Sequence, residues 1–197
     1  MNYKKVTVIG NGESRTSIDL KKISSFTIGC NAIVRDLSVD QVVCVDKRIL
    51  KEVATAATNT TEIFTSQRLQ SCVKRTTRPL PSLPYAGTTR PDDPIHWGSG
   101  SYAVLLGSLQ FLQVELLGFD LYSNNKFVNN MYKGSNNYDA DTHRAVDPRY
   151  WIHQIGRVFE CFPQTEFVIY QTPDWQLPEK WNHDNVFVDN ISSLSYN

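Results

Sequence analysis

The sequence predicts an α/β fold: one Rossmann-like domain over residues 1–197, built on an open, mostly parallel sheet with helices on both faces. Short apolar runs recur along the chain, are rich in β-branched and aromatic residues, and lack polar alternation. Such runs are typical of strands buried on both faces of a parallel sheet. Helix-like or loop-like stretches separate them, which favours parallel strands joined by right-handed crossovers. A chain of 197 residues can bury one sizeable core, so a single domain is expected.

The apolar runs predicted to be strands cover, in chain order, residues 6–9, 26–30, 41–45, 62–65, 114–118 and 166–170. Two stretches between the early runs, residues 17–23 and 46–57, are predicted to be short helices. The alternation of strand and helix therefore begins at the N-terminus and continues through the first third of the chain.

The clearest predicted helix is GSGSYAVLLGSLQFLQ, residues 98–113. Ser99 or Ser101 can cap its start, because a serine hydroxyl accepts a hydrogen bond from the free N–H groups of a first turn. Its apolar residues at helical spacing are Val104, Leu105, Leu109 and Leu112.

A second strong helix is predicted over VDPRYWIHQIGRVFECF, residues 146–162. Asp147 is expected as its N-cap, with Pro148 at the first helical position, where the missing N–H of proline is tolerated. Its predicted apolar face consists of Trp151, Ile155, Val158, Phe159 and Phe162.

Some segments do not follow the alternation. Residues 67–97 are proline-rich and are predicted to be irregular loop. The stretch SNNKFVNNMYKGSNNYDADT, about residues 123–142, is polar and asparagine-rich. A loop this long inside a domain is typical of a lid or binding loop. Residues 173–197 are predicted to wrap over the surface, with Trp175 and Trp181 as anchors.

The charge balance argues against sequence-independent binding of nucleic acid. Twenty Lys and Arg residues oppose twenty Asp and Glu residues, giving zero formal charge. Sequence-independent binding to nucleic acid needs a net basic surface, so no nucleic-acid partner is expected. A local basic patch stays open in the loop that holds Lys74, Arg75, Arg78 and Arg90.

The cysteines and the apolar segments indicate a reduced, soluble protein of the cytoplasm. The N-terminal MNYKKVTVIG is predicted to be a strand rather than a signal sequence. No segment approaches the ~20 apolar residues of a membrane span. The cysteines are widely spaced, without a C-x-x-C pair, and are expected to be buried reduced thiols. They are Cys30, Cys44, Cys72 and Cys161.

Polar residues follow several predicted strands. Asn11 follows the first strand, Asn31 the second and Asp46 the third, Ser99 opens the long helix, and Asp120 with Tyr122 follows the fifth strand. Each alone is typical of a turn or cap. Because ligands of open parallel sheets bind at the carboxyl ends of the strands, the set predicts a ligand site at that edge.

The turn VTVIGNGESR resembles the phosphate-facing turn of a nucleotide-binding fold. Gly10 and Gly12 let the backbone approach a ligand, and the following helix start would supply N–H donors for an anion. Glu13 stands where a dinucleotide fingerprint carries a small residue, so G-x-G-x-x-G is absent and dinucleotide binding is disfavoured. The chain also lacks G-x-x-x-x-G-K-[ST], so P-loop chemistry is not supported.

His143, in DADTHRAVDP, is the candidate general base, because histidine exchanges a proton readily near neutral pH. Taken alone, such a residue is more often an ordinary surface-loop histidine. His96 is a second candidate, and His153, inside a predicted helix, is expected to be structural. Three tyrosines could donate hydrogen bonds to a departing phosphate or simply pack in the lid. They are Tyr122, Tyr132 and Tyr138.

The motifs, taken together, resemble those of the small bacterial lipooligosaccharide sialyltransferases. The matching segments are, in order, VTVIGNGESRTSIDL, FTIGCNAIVRD, SGSYAVLLGSLQFLQVELLGFDLY and THRAVDPRYWIHQIGRVF. The resemblance spans roughly residues 4–170, and the order and spacing of the motifs carry it. It implies a Rossmann-like fold and inverting transfer of sialic acid from CMP-sialic acid. The archaeal-type 6-hydroxymethylpterin pyrophosphokinases are more distantly similar, sharing the glycine turn and the G-x-D strand end.

The resemblance implies a role for several residues. Asn11 and Asn31 match asparagines that hold the nucleotide of the donor. Ser99 matches the serine of an S-G pair, completed here by Gly100, that also contacts the donor. Tyr122 matches a tyrosine that supports the leaving phosphate, and His143 matches the base that deprotonates the acceptor hydroxyl.

The chain departs from the family pattern in places. Glu13 replaces a proline, and Asp46 replaces an asparagine that contacts the donor. The second phosphate tyrosine of the family falls at Val128, so Tyr132 or Tyr138 would have to replace it.

The expected function is therefore that of an inverting glycosyltransferase acting on a nucleotide-sugar, with a CMP-sugar as donor and a glycan or other hydroxyl compound as acceptor. No metal is required for that chemistry. One alternative is a pyrophosphokinase-like enzyme using ATP and Mg²⁺, with Asp46 and Asp120 as metal-binding carboxylates. Another is a non-catalytic nucleotide-binding protein. The relatives often form homo-oligomers, so the resemblance leaves a homo-oligomer open.

Overall fold

One parallel sheet organises the chain. The computed structural model describes residues 4–123 and 126–194. The strands are β1 (Val6–Ile9), β2 (Phe26–Cys30), β3 (Gln41–Val43), β4 (Glu62–Thr65), β5 (Arg78–Pro79), β6 (Gln113–Leu117), β7 (Glu166–Gln171) and β8 (Val186–Asn190). They lie in the order β5-β4-β3-β2-β1-β6-β7-β8, and each neighbouring pair is parallel. The predicted α/β fold with an open parallel sheet is confirmed.

The predicted strands are all present, with ends that differ from the prediction by at most two residues. The edge strands β5 and β8 were not predicted. The β5 strand has two residues, Arg-Pro, both exposed, and so has no apolar run. In β8 the side chains from Phe187 to Asn190 are exposed, because among the described residues this strand pairs on one side alone, with β7. An apolar run in the sequence therefore predicts a buried central strand but does not reveal an exposed edge strand.

The order of the strands creates a switch point between β1 and β6. The chain builds outward from β1 to β5, then returns and places β6, β7 and β8 on the other side of β1. Connections therefore leave β1 and β6 in opposite directions along the sheet, and a crevice opens at their carboxyl ends. This is the edge at which the sequence places its candidate site.

Helices cover both faces of the sheet, as predicted. They are α1 (Lys47–Ala56), the short α2 (Gln67–Gln70), α3 (Ser99–Gln110) and α4 (Arg149–Cys161). Val8 of β1 joins α3 and α4 in one buried cluster, whereas Ile9 joins α1 in the other. Successive side chains of a strand point to opposite faces, so β1 contributes to both clusters.

Three details of the predicted helices were wrong. Residues 17–23 form no α-helix; the chain there makes two 3₁₀ turns, Glu13–Ser17 and Leu20–Lys22. The α3 helix begins after Gly98 and has no side-chain cap. Of its supposed apolar face, Leu109 and Leu112 are exposed, because α3 ends at Gln110 and the chain then enters β6.

Aspartates also meet the starts of α1 and α4, although Asp46 was predicted mainly as a donor contact and the N-cap of α4 is Pro148 rather than the predicted Asp147. The Asp46 carboxylate accepts hydrogen bonds from the N–H groups of Arg48 and Ile49 at the start of α1. Helix α4 starts at Arg149, one residue later than predicted, and the Asp147 carboxylate still accepts the Arg149 N–H at 3.0 Å.

The irregular segments contain more order than predicted. Residues 67–97 include α2, β5 and the 3₁₀ turns Arg90–Asp92 and Pro94–His96. The C-terminal segment does not only wrap the surface, since it also supplies β8. Its tryptophans do anchor it: the Trp181 indole is fully buried, and its Nε1 donates to the Ile152 carbonyl at 2.8 Å.

The thiols follow the prediction in part. All four cysteines are free; Cys30 and Cys44 are buried, whereas Cys72 and Cys161 are half-buried. Burial raises the pKa of Cys30 and of Cys44 to about 12, so both are neutral at physiological pH. Within the described ranges, no helix is both long and apolar enough to cross a bilayer.

Candidate active site

A cleft of about 220 Å³ opens at the switch point, at the carboxyl ends of β1, β2 and β6. Most of the residues predicted for a ligand site meet in its lining. They are Gly10, Asn11, Gly12, Asn31, Ser99, Gly100 and Asp120. Phe119, Leu121, Trp151 and Ile155 add an apolar wall. The adjacent carboxyl ends of these strands therefore bring together residues that are far apart in sequence.

The two glycines of the turn are required by the packing of β1 against β6. A Cβ atom on Gly10 would lie 2.4 Å from the Gly118 carbonyl oxygen, and one on Gly12 would lie 2.3 Å from the Asp120 carboxylate. The Gly10 N–H donates to the Leu117 carbonyl at 2.7 Å, and the Gly12 N–H to the Gly118 carbonyl at 2.9 Å. The turn thus extends the pairing of β1 with β6 beyond the strands themselves.

Asn31 lies at the end of β2 in a left-handed conformation, with φ of 53°. Asparagine tolerates this region better than other side-chain-bearing residues. The Ser99 hydroxyl donates to Oδ1 of Asn31 at 2.7 Å and accepts the Val45 N–H at 3.1 Å. Ser99 therefore fixes the amide of Asn31, whose Nδ2 has no protein partner among the described residues and is available as a donor.

Asn11 is held by the lid loop on one side and by β2 on the other. Its Nδ2 donates to the Tyr138 hydroxyl at 3.4 Å, and its Oδ1 accepts from the Cys30 thiol at 3.7 Å. Its carbonyl accepts the Met131 N–H at 2.8 Å. The amide of Asn11 is thus oriented before any ligand arrives.

The N-terminus of α3 is the strongest anion-binding feature of the cleft. Residues 98–101 line it, and no side chain caps this helix end. The first N–H groups of a helix have no intrahelical partner and carry the positive end of the helix dipole. Asp120 is the charged side chain of the cleft lining, and no Lys or Arg lines it within the described part of the chain. An anion here would therefore depend on backbone N–H groups and amides.

Asp120 is buried and occupied by protein partners. Its carboxylate accepts the Ser14 N–H at 2.9 Å, the Ser14 hydroxyl at 2.5 Å and Nε2 of Gln171 at 3.3 Å. It joins the segment after β1 to the ends of β6 and β7. Asp46 does not line the cleft, and its carboxylate is occupied as the cap of α1.

The lid loop packs onto the glycine turn through Glu13. The Glu13 carboxylate lies 2.5 Å from Nζ of Lys133, and the Glu13 N–H donates to Oδ1 of Asn129 at 2.8 Å. Asn129 itself lines the cleft. The residue that departs from the family's proline therefore ties the lid to the site.

Tyr132 and Tyr138 point toward the protein and do not line the cleft. The Tyr132 hydroxyl donates to Asp36 at 2.7 Å and accepts from Arg15 at 2.8 Å. The Tyr138 hydroxyl accepts from the Ala32 N–H as well as from Asn11. Burial raises the pKa of both tyrosines well above the usual range, so both remain protonated.

His143 lies at the base of the lid loop, outside the cleft lining, and its side chain is 62% exposed. Its carbonyl accepts the Val128 N–H at 3.0 Å, one residue before Asn129. Its Nδ1 lies 3.5 Å from Oδ1 of Asp139, four residues earlier. Tyr122 is 40% exposed and lines a second cleft beside the first.

The other histidines lie elsewhere. His96 stacks edge-on with Tyr150 at 6.1 Å between ring centroids and also contacts Arg90. Nε2 of His153 lies 2.7 Å from the buried carboxylate of Asp92, a partner consistent with a structural role. Within residues 4–123 and 126–194, no group of three or more His, Cys, Asp or Glu side chains is arranged to hold a metal ion.

Sequence reasoning missed Arg15 and Asp139. Arg15 is 2% exposed, and its guanidinium donates to the Gly10 carbonyl at 2.8 Å and to Tyr132 and Asp36. It therefore connects the glycine turn to the lid, and an isolated arginine in a polar stretch gives no sign of such burial. Asp139 and His143 lie in a loop, where a spacing of four residues does not by itself predict a contact.

Comparison with known proteins finds a similarity of fold to solved structures. No protein-family model matches the chain, and no curated protein matches it. A structure of a Tyr-to-Phe variant of the sialyltransferase Cst-II in complex with CMP aligns with a TM-score of 0.54 and 15% identity, covering 96% of this chain and 88% of that chain.

Two further structures of the sialyltransferase CstII from Campylobacter jejuni align with TM-scores of 0.49. The one in complex with the substrate analogue CMP-3FNeuAc is 15% identical and covers 95% of this chain and 87% of that chain. The one in complex with cytidine-5'-monophosphate is 14% identical and covers 96% and 87%. The likeness to pyrophosphokinases stays a prediction. The resemblance found in the sequence is thus confirmed as one of fold: this chain has the fold of the sialyltransferase Cst-II.

Proposed function

We propose that this protein is an inverting glycosyltransferase that moves a sugar from a CMP-sugar donor to a hydroxyl acceptor. The observation that carries the proposal is the uncapped N-terminus of α3 in a cleft that also holds the amides of Asn11 and Asn31. The shared fold with a CMP-bound sialyltransferase structure supports the choice of donor.

The cleft suits the nucleotide part of such a donor. In the proposal, the phosphate of CMP accepts hydrogen bonds from the N–H groups at the start of α3, where the helix dipole favours negative charge. Nδ2 of Asn31, left free by the Ser99 hydrogen bond to Oδ1, donates to the nucleotide. Asn11, held by Tyr138, supplies a second amide. The apolar wall at Phe119 and Trp151 receives the base.

The proposed reaction is a single displacement. The acceptor oxygen forms a bond to the anomeric carbon while the bond from that carbon to the phosphate oxygen breaks. The phosphate leaves with the electron pair as CMP, and the acceptor proton passes to a general base. Attack from the face opposite the phosphate inverts the anomeric configuration.

His143 is the proposed base. Asp139 beside Nδ1 would fix the tautomer with the proton on Nδ1, leaving Nε2 free to accept a proton from the acceptor. The Val128 N–H donates a hydrogen bond to the His143 carbonyl, and this bond keeps the histidine near Asn129 and the cleft. Positioned base catalysis of this kind contributes about 10²–10⁴-fold to the rate. Closure of the lid over a bound donor would complete the site.

The charge that develops on the leaving phosphate is met by the α3 N–H groups, and Tyr122 is proposed to add a hydrogen bond at the edge of the cleft. Burial raises the pKa of Tyr122, so its hydroxyl keeps its proton as a donor. Tyr138 acts indirectly, by holding Asn11. None of these contacts uses a metal ion.

The test is transfer from CMP-sialic acid to a panel of glycan acceptors in the presence of EDTA, with the product anomer read by NMR. We expect an inverted product, and a loss of about 10²–10⁴-fold in kcat for His143→Ala. His183→Ala is the matched control, because the His183 ring contacts the Lys180 carbonyl in the segment before β8, away from the strand ends that form the cleft. Near-wild-type transfer by His143→Ala would show that His143 is not the general base. Turnover of ATP with Mg²⁺ in place of CMP-sugar would favour the pyrophosphokinase alternative.

A further inference from the structure

A second cleft opens beside the first, at the ends of β6 and β7 and against the segment that follows β7. Its volume is about 540 Å³, within the usual range of small-molecule sites. Asp120 and Asn129 line both clefts. A molecule bound in the second cleft would therefore meet a donor bound in the first at these two residues.

The walls of this second cleft combine an aromatic ring with polar groups. Trp175 is held rigidly, because its Nε1 donates to the Asp120 carbonyl at 2.7 Å and its ring packs against Trp181 at 6.2 Å between centroids. Thr172 and Gln176, both exposed, add a hydroxyl and an amide. A sugar ring has the complementary chemistry, with C–H groups that pack on an aromatic face and hydroxyls that pair with amides.

The charges of the second cleft disfavour an anionic ligand. Its charged residues are the acids Glu13, Asp120 and Asp174, and no Lys or Arg lines it in the part of the chain that the structure describes. Glu13 forms an ion pair with Lys133, and the Asp120 carboxylate accepts a hydrogen bond from the Ser14 hydroxyl. Asp174 stays exposed, and a hydrogen bond from Thr172 holds its pKa below the usual value, so it is ionised at neutral pH.

We propose that the second cleft is the acceptor subsite and that it takes a neutral sugar residue, with the reacting hydroxyl at the boundary formed by Asp120 and Asn129. This inference rests on the proposed transferase function and adds to it the place and the class of the acceptor. Carboxylates at the rim repel phosphorylated or carboxylated acceptors, whereas Trp175 and Gln176 bind the uncharged ring.

The first experiment tests the class of acceptor. Transfer from CMP-sialic acid is measured to neutral glycosides of glucose, galactose and N-acetylglucosamine, and to their phosphorylated and uronic-acid counterparts. We expect kcat/KM for the best neutral glycoside to exceed that of its charged counterpart by about 10-fold or more, and Asp174→Lys to shrink this ratio by about 5-fold. Asp184→Lys makes the same charge change at an exposed position before β8, and should leave the ratio as in the wild type.

The second experiment tests the place. Gln176→Trp fills the cleft with a large side chain, and Gln164→Trp puts the same side chain on an exposed turn before β7, at the opposite edge of the sheet. We expect Gln176→Trp to raise KM for the acceptor by about 10-fold while the dissociation constant of CMP stays unchanged, and Gln164→Trp to change neither.

The outcomes separate this inference from the function on which it rests. A wild-type protein that fails to bind CMP contradicts the transferase itself. A protein that binds and turns over CMP-sialic acid but prefers charged acceptors, accepts no neutral glycoside, or keeps its acceptor KM in Gln176→Trp overturns the neutral acceptor subsite and leaves the transferase standing.

Discussion

The carboxylate of Glu13 lies 2.5 Å from the ammonium of Lys133, so the residue that follows the glycine turn forms an ion pair with the lid loop. The same residue donates its N–H to Asn129, which lines both clefts. Where the resembling family has a proline, this chain has a contact that holds its lid. Glu13 therefore links the glycine turn to the lid loop.

Reversing the charge of Glu13 should loosen the lid, and reversing both partners should restore it. Glu13→Lys places two ammonium groups together, whereas Glu13→Lys with Lys133→Glu recreates the pair. A surface ion pair contributes about 0.2–1 kcal/mol, so we expect CMP affinity to fall by about 1.4–5-fold in the single variant and to recover in the double one. Calorimetric titration of CMP measures it. Equal losses in both variants would show that the pair does not hold the lid.

Gly12 of the glycine turn should not tolerate a methyl group, whereas Gly100 at the start of α3 should. Gly12→Ala drives a Cβ into the Asp120 carboxylate, whereas a Cβ on Gly100 meets only the Phe119 ring at an ordinary 3.5 Å. Overpacking costs about 1–3 kcal/mol, and alanine inside a helix is favoured over glycine, so Gly12→Ala should lower the free energy of unfolding and Gly100→Ala should not. Urea denaturation measures both. Equal stability of the two variants would contradict the packing of the turn against β6.

Orientation of the Asn31 amide by Ser99 predicts a graded series of donor affinities. Asn31→Gly keeps the left-handed backbone without strain but removes the donor, and Asn31→Asp keeps the shape while placing a carboxylate near the phosphate. Loss of one hydrogen bond costs about 0.5–1.5 kcal/mol, so Asn31→Gly should weaken CMP binding by about 2–13-fold, and Asn31→Asp by more. If Asn31→Asp binds CMP as well as the wild type, the amide does not contact the nucleotide.

Asp92 should make the stability of the protein depend on pH in the acid range. The hydrogen bond from the Thr89 hydroxyl, followed by that from His153, holds the pKa of this buried carboxylate well below its ordinary 3.8. The ionised form therefore stabilises the fold fully above that ordinary value, and the contribution is lost as the pH falls below it toward the folded-state pKa. Asp92→Asn should lower the free energy of unfolding by about 2 kcal/mol at pH 7.

The difference between wild type and Asp92→Asn should narrow as the pH falls below 3.8. Asp93→Asn is the matched control, because Asp93 is exposed and an asparagine can still accept the Ile95 N–H. Urea denaturation between pH 3 and 7 measures both variants. A gap for Asp92→Asn that stays constant with pH would mean that its charge does not stabilise the fold.

Much of the fold could be predicted because burial leaves a pattern in the sequence. The central strands are apolar on both faces and gave apolar runs, and the carboxyl-end rule then gathered Asn11, Asn31, Ser99 and Asp120 in one cleft. The rest depends on contacts between distant residues. No local sequence pattern predicts that Arg15 is buried beneath the lid loop, or that the Asp120 carboxylate accepts a hydrogen bond from the Ser14 hydroxyl.

The same limit explains the positions where sequence and structure differ. Ser99 matches a cap by its residue type, yet its hydroxyl is used by Asn31 and Val45, partners 68 and 54 residues away. Leu109 and Leu112 fit a helical apolar spacing but lie where α3 is leaving the core, so both are exposed. The spacing of apolar residues predicts the period of a helix or strand, whereas the end of that helix or strand depends on the residues packed against it.

The central claim is that the cleft at the switch point binds CMP, and the shift of the unfolding midpoint with nucleotide tests it most directly. CMP at 100 times its Kd, with EDTA present, should add about 2.7 kcal/mol to the free energy of unfolding of the wild type. The same CMP concentration should add less to the free energy of unfolding of Asn31→Asp, because that variant is expected to bind CMP more weakly. Stabilisation by ATP with Mg²⁺ but not by CMP, or by no nucleotide at all, would contradict the claim.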